Sequence, residues 1–164
     1  MKRKQKTSII WSVICKKAIV DDQTKLISII DILEKLILDI DIEKAPDEIK
    51  QTYKDGAWEK PIQVQGDITV ASYWELSKEN RKQELTVETR IFDFNNRELA
   101  MGQLTFNVDA ITSYQRTFVK LPTFPVVGSG RYQVESSLVS KDGNLLSQST
   151  LPIIVEVREI KPKQ

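Results

Sequence analysis

The chain has 164 residues, 40% hydrophobic and 29% charged, with 24 basic residues against 23 acidic ones and a net charge of +1. That is the composition of one soluble globular domain, and it excludes a disordered chain and a global field that would draw nucleic acid or anionic lipid. Histidine is absent and Cys15 is the one cysteine. These absences remove the commonest general base, the usual Ser-His and Cys-His pairs, most zinc and copper sites and any intrachain disulfide.

The first seven residues read as a basic tail carrying Lys2, Arg3, Lys4 and Lys6. Together with the apolar run Ser8 to Cys15 they superficially resemble an export signal or a lipoprotein anchor. Lys16 and Lys17 close that run, no small-residue cleavage site follows, and bulky Ile14 precedes Cys15, so a strand is expected instead. Ile9 to Val20 bears apolar residues on both faces, as a strand buried on both sides would, and Asp21 to Lys25 can turn it back. Cys15 is expected to be inert packing within this strand.

Leu26 to Leu38 fits both helical and strand spacing. The isoleucine density, and the alternation of Ile40 and Ile42 with Asp39, Asp41 and Glu43, favour strand. Pro46 followed by Asp47 and Glu48 starts a short helix expected over Pro46 to Lys54. Ile62 to Leu76 and Leu85 to Ile91 alternate apolar with polar residues, and Asn95-Asn96 marks a turn to a return strand through Leu104, Phe106, Val108 and Ala110. Tyr114 to Leu121 is read as a strand that ends before Pro122 and Pro125. The last hairpin has Tyr132, Val134, Ser136 and Leu138 before Asp142-Gly143 and Leu145 to Val157 after it, with Pro152 implying an edge position or a bulge.

About eight strands and at most one short helix predict an all-β antiparallel sandwich over residues 8–160, with a short C-terminal tail at 161–164. The run Ile14 to Asp22 and the run Lys25 to Ile32 resemble the start of a family of small, uncharacterised bacterial all-β proteins. Gly130 to Glu135, Asp142-Gly143 and Leu151 to Ile153 resemble the last hairpin of immunoglobulin-like sandwiches. The resemblance implies the fold and no catalytic activity.

Chemistry has few routes left. Gly128-Ser129-Gly130 lacks the Lys and the helix of a phosphate cradle and reads as a loop. Asp21, Asp22 and Asp142 can serve calcium, but turn chemistry with backbone amides is the favoured reading. Asp39, Asp41 and Glu43 read as an acidic stripe that protects a sheet edge. Among the aromatics, Trp11, Trp74 and Tyr132 are assigned to the core, and Trp58 and Tyr73 are placed outward or in a loop as a possible ligand surface. The expectation is a non-enzymatic, cytoplasmic binding module without cofactor, metal or membrane contact, presenting loops or a sheet edge to another protein. A carbohydrate or nucleic-acid binder is the alternative, and a carboxylate-based hydrolase stands below both.

Overall fold

The computed structural model describes residues 6–160; the remainder of the two expected tails lies outside the described residues. Ten strands run in chain order: β1 (Ser8–Val20), β2 (Ile27–Ile32), β3 (Lys35–Ile40), β4 (Tyr53–Lys54), β5 (Ala57–Glu75), β6 (Glu84–Phe92), β7 (Glu98–Asn107), β8 (Tyr114–Gly128), β9 (Gly130–Ser140) and β10 (Leu145–Glu159). One short helix, α1 (Asp47–Thr52), and two single 3-10 turns complete them. The chain is an all-β sandwich of two five-stranded sheets.

In the first sheet β1 and β8 flank the long β5, β2 lies outside β1, and β4 pairs with the start of β5. The second sheet has the order β3-β10-β9-β6-β7. All its pairings are antiparallel except β3 with β10, which run parallel from Ile154↔Lys35 to Glu159↔Ile40. The ambiguous segment after Leu26 is therefore strand, but it serves two sheets. Between β2 and β3 the Leu33 N–H donates to the Ile14 carbonyl of the first sheet, and the Ile154 N–H of the second donates to the Glu34 carbonyl.

Alternation decides which side chains meet. Ile14, Ile68, Val70, Trp74, Val119 and Phe124 of the first sheet pack in one core with Leu85, Val87, Ile91, Tyr132, Val134, Leu138, Ile153 and Val155 of the second. Each such side chain contributes ~1.5–3 kcal/mol when removed from water. Two polar groups enclosed with them are paired, as burial favours: Trp74 Nε1 donates to Thr117 Oγ1 at 2.9 Å, and Ser72 Oγ lies 2.8 Å from Ser12 Oγ and 3.3 Å from Ser136 Oγ, linking the sheets.

Four expectations are corrected. Thr7, assigned to the tail, is buried, and its hydroxyl accepts from the Ser77 N–H and Asn80 Nδ2 at 2.9 and 2.8 Å. β1 is not buried on both faces, since Ile10 and Ile19 are exposed. β8 continues through Pro122 and Pro125 because β5 is its one ladder partner, and an edge strand tolerates missing donors. β5 begins at Ala57 rather than Ile62, joined to β4 by the two-residue turn Asp55-Gly56, both at positive φ of 53° and 82°. Pro152 sits on β10 just before β3 begins to pair at Ile154, where β10 is itself an edge.

Candidate functional site

The outer face of the first sheet, turned away from the core, carries a row of aromatic and basic side chains that are half-buried or exposed. Register builds it. On β5 the residues Thr69, Ala71 and Tyr73 lie opposite Cys15, Val13 and Trp11 of β1, and opposite Lys120, Phe118 and Arg116 of β8. Cys15, Thr69 and Ala71 form a buried floor between larger side chains. Burial raises the Cys15 thiol pKa above its ordinary value, and Sγ lies 3.6 Å from the Thr69 carbonyl oxygen.

Above this floor stands an aromatic row. The Trp11 and Tyr73 rings lie 5.8 Å apart at 38°, and Tyr73 stacks with Tyr114 at 5.7 Å and 29°. The Arg116 guanidinium carbon sits 5.6 Å from the centre of the Tyr73 ring, and its Nη1 donates to the Lys25 carbonyl at 2.6 Å. That bond holds the cation against the ring, where its attraction to the π face is greatest. Tyr114 is 51% exposed, while Trp11 and Tyr73 are half-buried. At the other end of the face a cleft of ≈ 410 Å³ is lined by Lys16, Lys17, Asp67, Phe118, Lys120 and Pro122. Ile30 and Ile32 of β2 extend the apolar margin, with 41% and 60% exposure.

The two residues singled out in the sequence are not brought together. Tyr73 is in the centre of the row. Trp58 is 3% exposed and packs on Tyr53 with ring centres 4.7 Å apart, because the Asp55-Gly56 turn folds this end of β5 back on β4. It belongs to the core rather than to a loop, and its Nε1 is buried with no hydrogen-bond partner among the described residues. Trp11, assigned to the core, belongs to the outer row instead. Tyr114 and Arg116 were not singled out as a ligand pair. Their signal is the alternation Tyr114, Arg116, Phe118 against Thr117, Val119, Leu121, which places the first set outward.

The acidic candidates serve local structure. The Asp21 carboxylate accepts from the backbone of Gln23 and Thr24 and from the Thr24 hydroxyl at 3.0, 2.6 and 2.8 Å, which lowers its pKa. Asp41 caps the 3-10 turn Ile42–Lys44 through the Lys44 N–H, so it is a cap rather than part of a solvated stripe. Among the described residues no three acidic or thiol groups stand together as metal ligands would. Ser129, within the glycine pair, accepts from the Val157 N–H at 2.9 Å and fastens the β8–β9 corner to β10. No helix among the described residues is long and apolar enough to cross a membrane.

No protein-family model matches the chain. No curated protein matches it. Among solved structures it is similar to a glycosyl hydrolase family 2 member from Bacteroides cellulosilyticus, at 19% identity over 60% of this chain and 13% of that one, with a TM-score of 0.45. It is also similar to a Bacteroides uniformis beta-glucuronidase, at 19% identity over 59% of this chain and 12% of that one, with a TM-score of 0.43. The CooA pilin subunit of enterotoxigenic Escherichia coli matches over 91% of this chain and 99% of its own, at 11% identity and a TM-score of 0.27. The chain thus spans a small fraction of each of these two hydrolases.

Proposed function

We propose that this chain is a non-enzymatic binding module that engages a partner protein through the outer face of its first sheet. The observation that carries this reading is the row Trp11, Tyr73, Tyr114 and Arg116, half-exposed and held in place by its own contacts. Trp, Tyr and Arg dominate the energy of protein interfaces because the two aromatics offer a large apolar area with few rotors and the guanidinium offers a planar fork of donors. The adjoining lysines favour an acidic rim on the partner.

Geometry favours a protein over a sugar or a nucleic-acid base. Those ligands need an open ring face to stack on. The Tyr73 ring instead has Tyr114 stacked with it and Arg116 over it, so this part of the row offers edges and hydroxyls. The absence of histidine from the sequence supports the non-enzymatic half of the reading. We further read the sandwich as immunoglobulin-like, since Tyr132 bonds back to the backbone a few residues upstream as the corner tyrosine of such domains does. A cytoplasmic location remains part of the proposal, resting on the single cysteine.

The test is affinity capture from the native host with the wild-type chain and with Tyr73→Ser/Arg116→Glu, followed by calorimetric titration of the captured protein. Binding by the wild type that falls at least tenfold in the variant supports the proposal. Equal binding by both, or selective binding of oligosaccharide or single-stranded nucleic acid, overturns it.

A further inference from the structure

A sheet edge offers unpaired backbone groups, and natural proteins blunt such edges with proline, lysine, bulges or short length. In the described structure β8 carries Pro122, Pro125 and Lys120, while β2 and β3 are six residues each and contain Asp31 at φ 52° and Lys35. β7 has ten residues, ELAMGQLTFN, with Glu98 as its one charge and no proline or lysine. Its pairing with β6 is regular from Ala100 to Asn107. It is the terminal strand of the second sheet, with Met101 and Leu104 49% and 37% exposed.

We propose that two copies of this chain pair antiparallel through β7 about a two-fold axis at Gln103, joining their second sheets into one. The Val108 N–H donates to the Gln83 carbonyl, and the β6–β7 register continues that pair inward. Bonded pairs alternate along an antiparallel ladder, so even-numbered residues of β7 bond β6. Met101, Gln103, Thr105 and Asn107 therefore aim their N–H and C=O groups at the open side.

Side-chain size identifies the partner as a second copy. The core-facing row of β7 reads Ala100, Gly102, Leu104, Phe106, because the β6 partners Ile91, Thr89, Val87 and Leu85 are all buried. Two small residues are followed by two large ones. Antiparallel pairing about Gln103 places Ala100 across from Phe106 of the second copy and Gly102 across from its Leu104, each large side chain over a small one. On the outward face Met101 meets Thr105 and Gln103 meets its own counterpart, with no like charges opposed. The strand added beyond β7 also covers the exposed flank of Leu104. This surface is separate from the aromatic row and does not depend on it.

Sedimentation equilibrium of the full chain should give twice the chain mass, and Gln103→Lys, which sets two lysines face to face, should return it to one chain with an unchanged circular dichroism spectrum. Gln103→Cys should form an oxidised dimer, since residues of a bonded pair lie about 5.5 Å apart at Cα, and buried Cys15 does not compete. Met101→Cys, displaced from its counterpart, should stay unlinked. A chain that remains monomeric at high concentration, a dimer indifferent to Gln103→Lys, or equal linking at both cysteine positions overturns the proposal.

Discussion

The Tyr132 hydroxyl donates to the Gly128 carbonyl oxygen at 2.9 Å, closing the corner between β8 and β9. The Tyr132 hydroxyl oxygen in turn accepts from the Val127 N–H at 3.0 Å. Gly128 holds φ 152°, and a Cβ there would come within 3.0 Å of the Gly56 carbonyl oxygen, so this corner and the β4–β5 turn are in contact. Tyr132→Phe keeps the ring packing on Phe124 but strands two buried backbone groups. A loss of ~1–3 kcal/mol is expected from urea denaturation, with an unchanged spectrum.

The phenol also sets a pH limit. Burial raises the Tyr132 pKa, and burial followed by the Glu159 carboxylate raises that of Tyr53 to about 12. A raised acid favours the folded state while it is neutral, so this contribution is full below the unfolded tyrosine pKa of about 10. It declines as pH rises from there through the folded values. Thermal melts above that pH should show Tyr132→Phe losing less stability with alkali than the wild type.

At the β6–β7 turn the buried Asp93 carboxylate accepts from the Asn95 and Arg97 N–H groups at 2.8 and 3.0 Å and from Arg97 Nε at 3.1 Å. Asp93→Ala leaves those amides without their acceptor and should cost roughly 1.5–3 kcal/mol in denaturant unfolding. Asp93→Asn retains one acceptor oxygen and should cost less. An Arg97→Ala change, at a half-exposed side chain, should cost least.

The parallel strand β3 is tied to β10 by Glu156, which pairs with Arg158 at 2.6 Å and with Lys35. The Arg158 bond first, then Lys35, lowers the Glu156 pKa to about 2. A depressed carboxylate stabilises the fold above its unfolded pKa of about 4.3 and loses that contribution as pH falls through the folded value. Melting temperature should therefore fall between about pH 4.3 and 2 in the wild type and fall less in Glu156→Gln. Added salt should shrink the difference, because the pair is solvent-facing.

These elements differ in how far sequence reveals them. The Asn95-Asn96 and Asp142-Gly143 turns and the alternation of β5, β6 and β9 are local, and the structure follows them. The sequence reading puts Trp58 outward or in a loop; the overlooked cue is Asp55-Gly56, a two-residue hairpin signal that makes it a strand residue. The aromatic row was legible only in part. Outward orientation of Tyr73 follows from its alternation with Trp74, but the contacts with Trp11 and Tyr114 depend on register between strands about 40 to 60 residues apart, which no local pattern encodes. The parallel β3–β10 pairing is hidden for the same reason.

Binding through the outer face of the first sheet should leave a contact specific to that face. The direct measurement places a photo-crosslinking residue at Tyr114 in the native host, and in parallel at exposed Gln133 on β9 of the second sheet. A single protein adduct formed from position 114, weakened by Arg116→Glu and not formed from position 133, is the predicted result. The same adducts from both positions, or none from 114 while the folded chain is abundant, would contradict it.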